Sequence, residues 1–157
     1  EGIPAIYIQS MFGAHNDIER FEHTKRNRSI NRHIWSESEL GEVINNTSLT
    51  QHKIFMEIRR LLAIRRKQAA FHPNATQYTL HLGDSIFAFW RQSISRDQSI
   101  FCISNISSHS QSVNLRDINL INTDEWHDLI SGRIYTNISE LLKLRPYQVL
   151  WISNSAL

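Results

Sequence analysis

At 157 residues, 41% apolar and 20% charged, the chain has a globular composition and enough length for one domain with a core, or a small domain plus an appendage. With 17 Lys and Arg against 15 Asp and Glu, its net charge of +2 is too small to argue for nucleic acid. No apolar run approaches the roughly 18 residues of a membrane span, and the single Cys102 excludes an internal disulfide.

Residues 3–8 are apolar on both alternating faces, with Pro4 near the start where a proline is tolerated. That pattern suits a parallel strand covered on both sides. With no earlier strand to pair with, the expectation is a chain that forms the C-terminal piece of something larger. Gly13 marks the turn that follows. Residues 14–36 then lose periodicity and read as a long polar loop, crowded with Arg20, Arg26, Arg28 and Arg32; loops of that length in compact domains are usually functional or disordered. Ser36 with Glu39 three residues on has the form of a capping box that starts a short helix.

Residues 48–70 give the clearest helix signal. Ile54, Phe55, Ile58, Leu61, Leu62 and Ile64 form an apolar stripe, while Arg59, Arg60, Arg65, Arg66 and Lys67 read as a wet exterior that complements the dipole at the C-terminal end. His72-Pro73-Asn74 is expected to stop it. Strand, loop and helix together make one βα unit.

After Pro73 the period changes to two. Residues 77–82 and 85–91 read as a hairpin turning tightly at Gly83-Asp84, and short strands follow at 99–106, 111–115, 126–130, 133–135 and 147–152. Cys102, within Ser-Ile-Phe-Cys-Ile-Ser, reads as a buried small hydrophobe in a reducing compartment, and the cytoplasm is the expected location. The expected domains are therefore 1–73, the closing unit of an α/β domain, and 74–157, a small antiparallel β domain.

Few residues offer chemistry. The eight histidines are scattered, so no metal site is expected, and no phosphate-cradling glycine loop is present. Arg26, Arg28 and Arg32 carry fixed forks of N–H donors that suit carboxylates, phosphates and vicinal hydroxyls. The plain alternative pairs them with Glu19, Glu22 or Glu37 as a solvated loop. Trp90, Trp126 and Trp151 admit a sugar-stacking platform, but in alternating strands they read first as packing.

At Gly2-Ile-Pro-Ala-Ile-Tyr, Asn16-Asp17 and Arg28-Ser-Ile-Asn-Arg-His33, the chain resembles the end of a glycoside hydrolase family 13 enzyme, and within that family the sucrose phosphorylase group. Trp126-His-Asp-Leu-Ile-Ser-Gly132 and Leu144-Arg-Pro-Tyr-Gln-Val-Leu-Trp-Ile-Ser153 resemble the β domain that follows those barrels. The resemblance implies that residues 3–8 are the eighth strand of a (β/α)8 barrel, that residues 47–70 include the eighth helix, and that an antiparallel C-terminal domain is appended.

It also implies a retaining mechanism with an Asp nucleophile, a Glu acid/base and a second Asp, all upstream, so that no catalytic residue is expected here. The position that maps is Arg28, which in the phosphorylase group holds the non-reducing end of the bound glucosyl unit. Asn31 and Arg32 are expected to brace the loop, and Asp17 to anchor it. Sucrose phosphorylases typically carry Gly-Arg-Asp where this chain has Asn27-Arg28-Ser29, and an aromatic pair where it has Ile34-Trp35. Acceptor specificity therefore stays open between a sucrose, a glucosylglycerol-type and a glucosylglycerate-type substrate, as does simple hydrolysis.

The expected function is the C-terminal part of an α-glucosyl-transferring phosphorylase that uses an α-glucoside and inorganic phosphate. It would be inactive alone, need no cofactor, and associate with the upstream barrel but not with nucleic acid or membrane; oligomeric state is left open. A hydrolase of the same family, and a non-catalytic carbohydrate-binding or interaction module built on the β half, are the alternatives.

Overall fold

The computed structural model describes residues 4–118, 125–137 and 139–155. The chain divides into two compact units, one being Pro4–Ala63 and the other beginning at Ile64. Among the described residues no helix is long and apolar enough to cross a membrane.

The first unit holds helices α1 (Ile8–Met11), α2 (Ile18–Thr24) and α3 (Glu37–Asn45), a 3-10 turn over Asn27–Asn31, and most of α4 (Thr50–Arg66). The strand expected over residues 3–8 is not formed over its described part, residues 4–8. Residues 4–7 have no ladder partner among the described residues, and Ile8 already begins a helical turn. A buried parallel strand needs neighbours on both sides to take its N–H and C=O groups. Gly2 and Ile3 of that stretch lie outside the described residues.

The loop expected over residues 14–36 is more ordered than its polarity suggested. Asp17 Oδ1 accepts the Arg20 N–H at 2.9 Å and caps α2, which Lys25 closes in the left-handed region at φ 53°. The Ser36–Glu39 capping box is present in both directions. Gly13 sits at φ +61°, a left-handed conformation that favours glycine, and a Cβ there would lie 2.8 Å from Ile54 Cδ1, the tip of a side chain that would have to shift.

Helix α4 ends at Arg66, short of the expected Ala70. The reason lies in Gln98, whose Oε1 accepts the Ala70 N–H at 2.9 Å while its Nε2 donates to Gln68 Oε1 at 2.6 Å. These bonds draw the chain into a second 3-10 turn, Ala69–Phe71, instead of another α-helical turn. Arg65, expected to be wet, donates to the Phe71 carbonyl at 3.1 Å and lies over the Phe71 ring.

The second unit is antiparallel, as the period-two pattern indicated. Its strands are β1 (Thr76–His81), β2 (Ile86–Gln92), β3 (Ser99–Asn105), β4 (Gln111–Asn114), β5 (Trp126–Asp128), β6 (Ile134–Tyr135), β7 (Leu141–Leu144) and β8 (Val149–Ser153), with a short helix α5 (Leu115–Ile118) after β4. They form a six-stranded sheet in the order β1-β2-β3-β8-β5-β6 and a ribbon β4-β7. The last β1–β2 pair is His81 with Phe87, and residues 82–85 connect the strands, a longer connection than a two-residue turn at Gly83-Asp84.

Alternation along β3 divides the core. Phe101 and Ile103 pack with Val113, Leu142, Leu144 and Ile152 between sheet and ribbon, while Ile100 and Cys102 pack with Ala70, Phe71 and Leu129 on the other face. Buried Arg91 ties that face down, donating to the carbonyls of Ala70 at 2.8 Å and His72 at 2.7 Å and to Gln77 Oε1 at 2.9 Å.

Candidate functional site

The Arg-rich segment is held by its backbone. Four consecutive carbonyls each accept a donor from earlier in the chain: Ile30 from the Asp17 N–H at 2.7 Å, Asn31 from Tyr7 Oη at 2.9 Å, Arg32 from Arg20 Nη1, and His33 from Gln9 Nε2 at 2.8 Å. Gln9 also accepts the Trp35 indole N–H at 2.7 Å. Phe12 lies against the rings of both Trp35 and Phe55. Four bonds to successive carbonyls fix a path for residues 30–33 that polar composition alone does not.

Of the residues singled out from sequence, Asp17 caps α2 and its second oxygen lies 3.7 Å from His33 Nδ1. Asn31 and Arg32 hold the loop through their carbonyls rather than their side chains. The side chains of Arg26, Arg28 and Arg32 are exposed and, among the described residues, paired with none of Glu19, Glu22 or Glu37. Ser29, which stands where sucrose phosphorylases typically have Asp, is buried and shares a hydrogen bond with Thr24 Oγ1 at 2.8 Å. The position next to Arg28 therefore points inward, and Arg28 has no adjacent acid. The left-handed residue of this stretch is Lys25.

Two grooves flank the segment. One of 440 Å3 is lined by His15, Asn16, Asp17, Glu19, His33 and Glu39 among others, and one of 300 Å3 by Tyr7, Gln9, His15, Asn16 and Asn31 among others. Arg28 lines neither. The Ser36 backbone N–H, then the Ser36 hydroxyl, hold the Glu39 carboxyl below its usual range. Such a surface can recognise hydroxyls. Its acids Asp17 and Glu39 each use one oxygen on a helix cap.

Tyr7, Gln9 and His33 were missed as site residues. Gln9 and Tyr7 reach partners 24 residues away, which no local pattern announces, whereas His33 closes the Ile-Asn-Arg-His run and was visible. None of Trp90, Trp126 and Trp151 is exposed; Trp126 is 1% accessible and packs edge-on to Phe101. The packing reading of these indoles therefore holds over the stacking platform. Among the described residues no group of three or more His, Cys, Asp or Glu is placed to hold a metal ion.

No family model matches the sequence. The chain is 31% identical over 151 residues, 96% of its length, to the glucosylglycerate phosphorylase of Escherichia coli K12, and 32% identical over 152 residues to that of Allomeiothermus silvanus. The chain belongs to the sucrose phosphorylase-like group of glycoside hydrolase family 13. It spans about a quarter of the length of these relatives, covering 25% and 24% of them. A sucrose phosphorylase from Streptococcus mutans matches at 31% over 70 residues, 45% of this chain. In structure, 71% of the chain superposes on 23% of the amylase AmyP, solved with maltose, at a TM-score of 0.60 and 14% identity, a likeness of fold.

Proposed function

We propose that the parent protein is a retaining glycoside phosphorylase that moves an α-glucosyl unit to inorganic phosphate, and that its substrate is glucosylglycerate-like, so that the acceptor it releases is glycerate-like and carries a carboxylate. The observation that supports this most is the match, over nearly the whole chain, to glucosylglycerate phosphorylases, against under half of it for the sucrose phosphorylase. Three guanidinium groups without partners among the described residues, Arg26, Arg28 and Arg32, fit an anionic or polyhydroxylated substrate.

In this reading residues 1–73 complete the barrel and residues 74–157 form the appended domain. The burial pattern favours it. Only Ser29 and Val43 are buried among the described residues of the first unit, while Ile6, Tyr7, Ile8, Ile18, Ile34, Ile44, Ile54 and Met56 are exposed. So much open apolar surface calls for cover, and the missing three quarters of the relatives' length is its natural source. The catalytic carboxylates lie there too, and Arg28 donates to hydroxyls of the glucosyl unit.

The test is release of glucose 1-phosphate by the full-length enzyme from glucosylglycerate, sucrose and glucosylglycerol. Phosphate-dependent release with glucosylglycerate as the best substrate is expected. Free glucose released without phosphate would replace phosphorolysis by hydrolysis, and a preference for sucrose would overturn the acceptor. Arg28→Ala is expected to lower kcat/KM more than about threefold, roughly 0.7 kcal/mol of transition-state binding; a smaller loss removes Arg28 from the site.

A further inference from the structure

His33 ends the run that carries the family resemblance, yet the function above gives it no role. Its ring lies between two carboxylates, with Nδ1 3.7 Å from Asp17 Oδ2 and Nε2 3.5 Å from Glu39 Oε1. Each acid is already anchored by its other oxygen: Asp17 Oδ1 accepts the Arg20 N–H at the head of α2, and Glu39 Oε2 accepts the Ser36 N–H at the head of α3. The two free oxygens both face the imidazole. Trp35 packs edge-on to it with centroids 4.6 Å apart, and Gln9 holds the His33 carbonyl. The remaining charged or titratable groups around it are His15 and Glu19 in the same groove, and Arg20, bound to the Arg32 carbonyl.

We propose that His33 is a positioning residue: by bridging Asp17 and Glu39 it clamps the head of α2 to the head of α3, and so fixes the segment that presents Arg28 to the glucosyl unit. Its effect on substrate rests on the phosphorylase reading; the clamp does not. A doubly protonated ring donates to both acids, whereas a neutral ring has one N–H and serves one. At 3.5 and 3.7 Å the contacts are at ion-pair distances. Holding both helix heads removes conformations that the Arg-bearing segment would otherwise sample, which is how a remote side chain improves substrate placement.

In the full-length enzyme His33→Ala is expected to lower kcat/KM about tenfold, carried by KM rather than kcat, and to speed tryptic cleavage at Lys25, Arg26, Arg28 and Arg32 several-fold. The double variant Asp17→Asn with Glu39→Gln separates the clamp from the caps. Asn still caps a helix and Gln still completes a capping box, but both charges facing the ring are gone. It is expected to reproduce the His33→Ala kinetics and proteolysis. In an Arg28→Ala background, His33→Ala should add less than about twofold, because it acts through Arg28.

Wild-type behaviour of the double variant, or a His33→Ala loss of equal size in both backgrounds, would overturn the proposal. An enzyme with no phosphorolysis at all would sink the function and leave the proteolysis arm to decide the clamp.

Discussion

Arg28 and Ser29 show how one substitution changes its neighbour. A serine hydroxyl fits the buried contact with Thr24, and its neutrality leaves the Arg28 guanidinium without an adjacent acid. Cys102 is the opposite case, a reactive group made inert. Burial pushes its thiol up to about 12, against weaker opposing effects from Arg91 and Arg65. The thiolate fraction at pH 8 is then about one in ten thousand. Native protein is expected to resist alkylation by iodoacetamide at that pH, and denatured protein to react fully; a reading of equal rates would mean that the β3 face is open.

The capping box of α3 makes a pH prediction at the scale of the element. The Ser36 N–H and hydroxyl stabilise the ionised Glu39 carboxylate, so its folded pKa lies below the ordinary 4.5 of a free glutamate. A depressed folded value means that the cap's contribution is present above pH 4.5 and is lost as pH falls through the folded value. An NMR titration should place the Glu39 midpoint under 4.5, and Ser36→Ala should move it back up. The same box was legible in the sequence because its whole logic lies within four residues. The end of α4 was not, because Gln98, distant in sequence, supplies the bonds that stop it.

For the whole molecule, burial differs sharply between the two units. The β unit has two packed faces around β3, whereas the first buries almost nothing by itself. In this chain taken alone, amides at residues 100–103 are expected to exchange at least about a hundredfold more slowly than those of α1 and α2, measured by hydrogen exchange. Equal protection in both would remove the need for upstream cover.

The sequence by itself determined the elements whose causes are local: the change from helical to period-two patterning near Pro73, the alternation that buries Cys102, the capping box and the motif around Arg28. Tertiary structure decided what depends on distant partners. An apolar run at residues 3–8 becomes a strand only where neighbouring strands take its backbone hydrogen bonds, and none of the described residues does so. The Ile30–His33 carbonyls are fixed by donors from Tyr7, Gln9, Asp17 and Arg20, and His33 meets its two acids only after α2 and α3 have formed. Periodicity records which face a residue occupies; it carries no record of which distant group will meet it there.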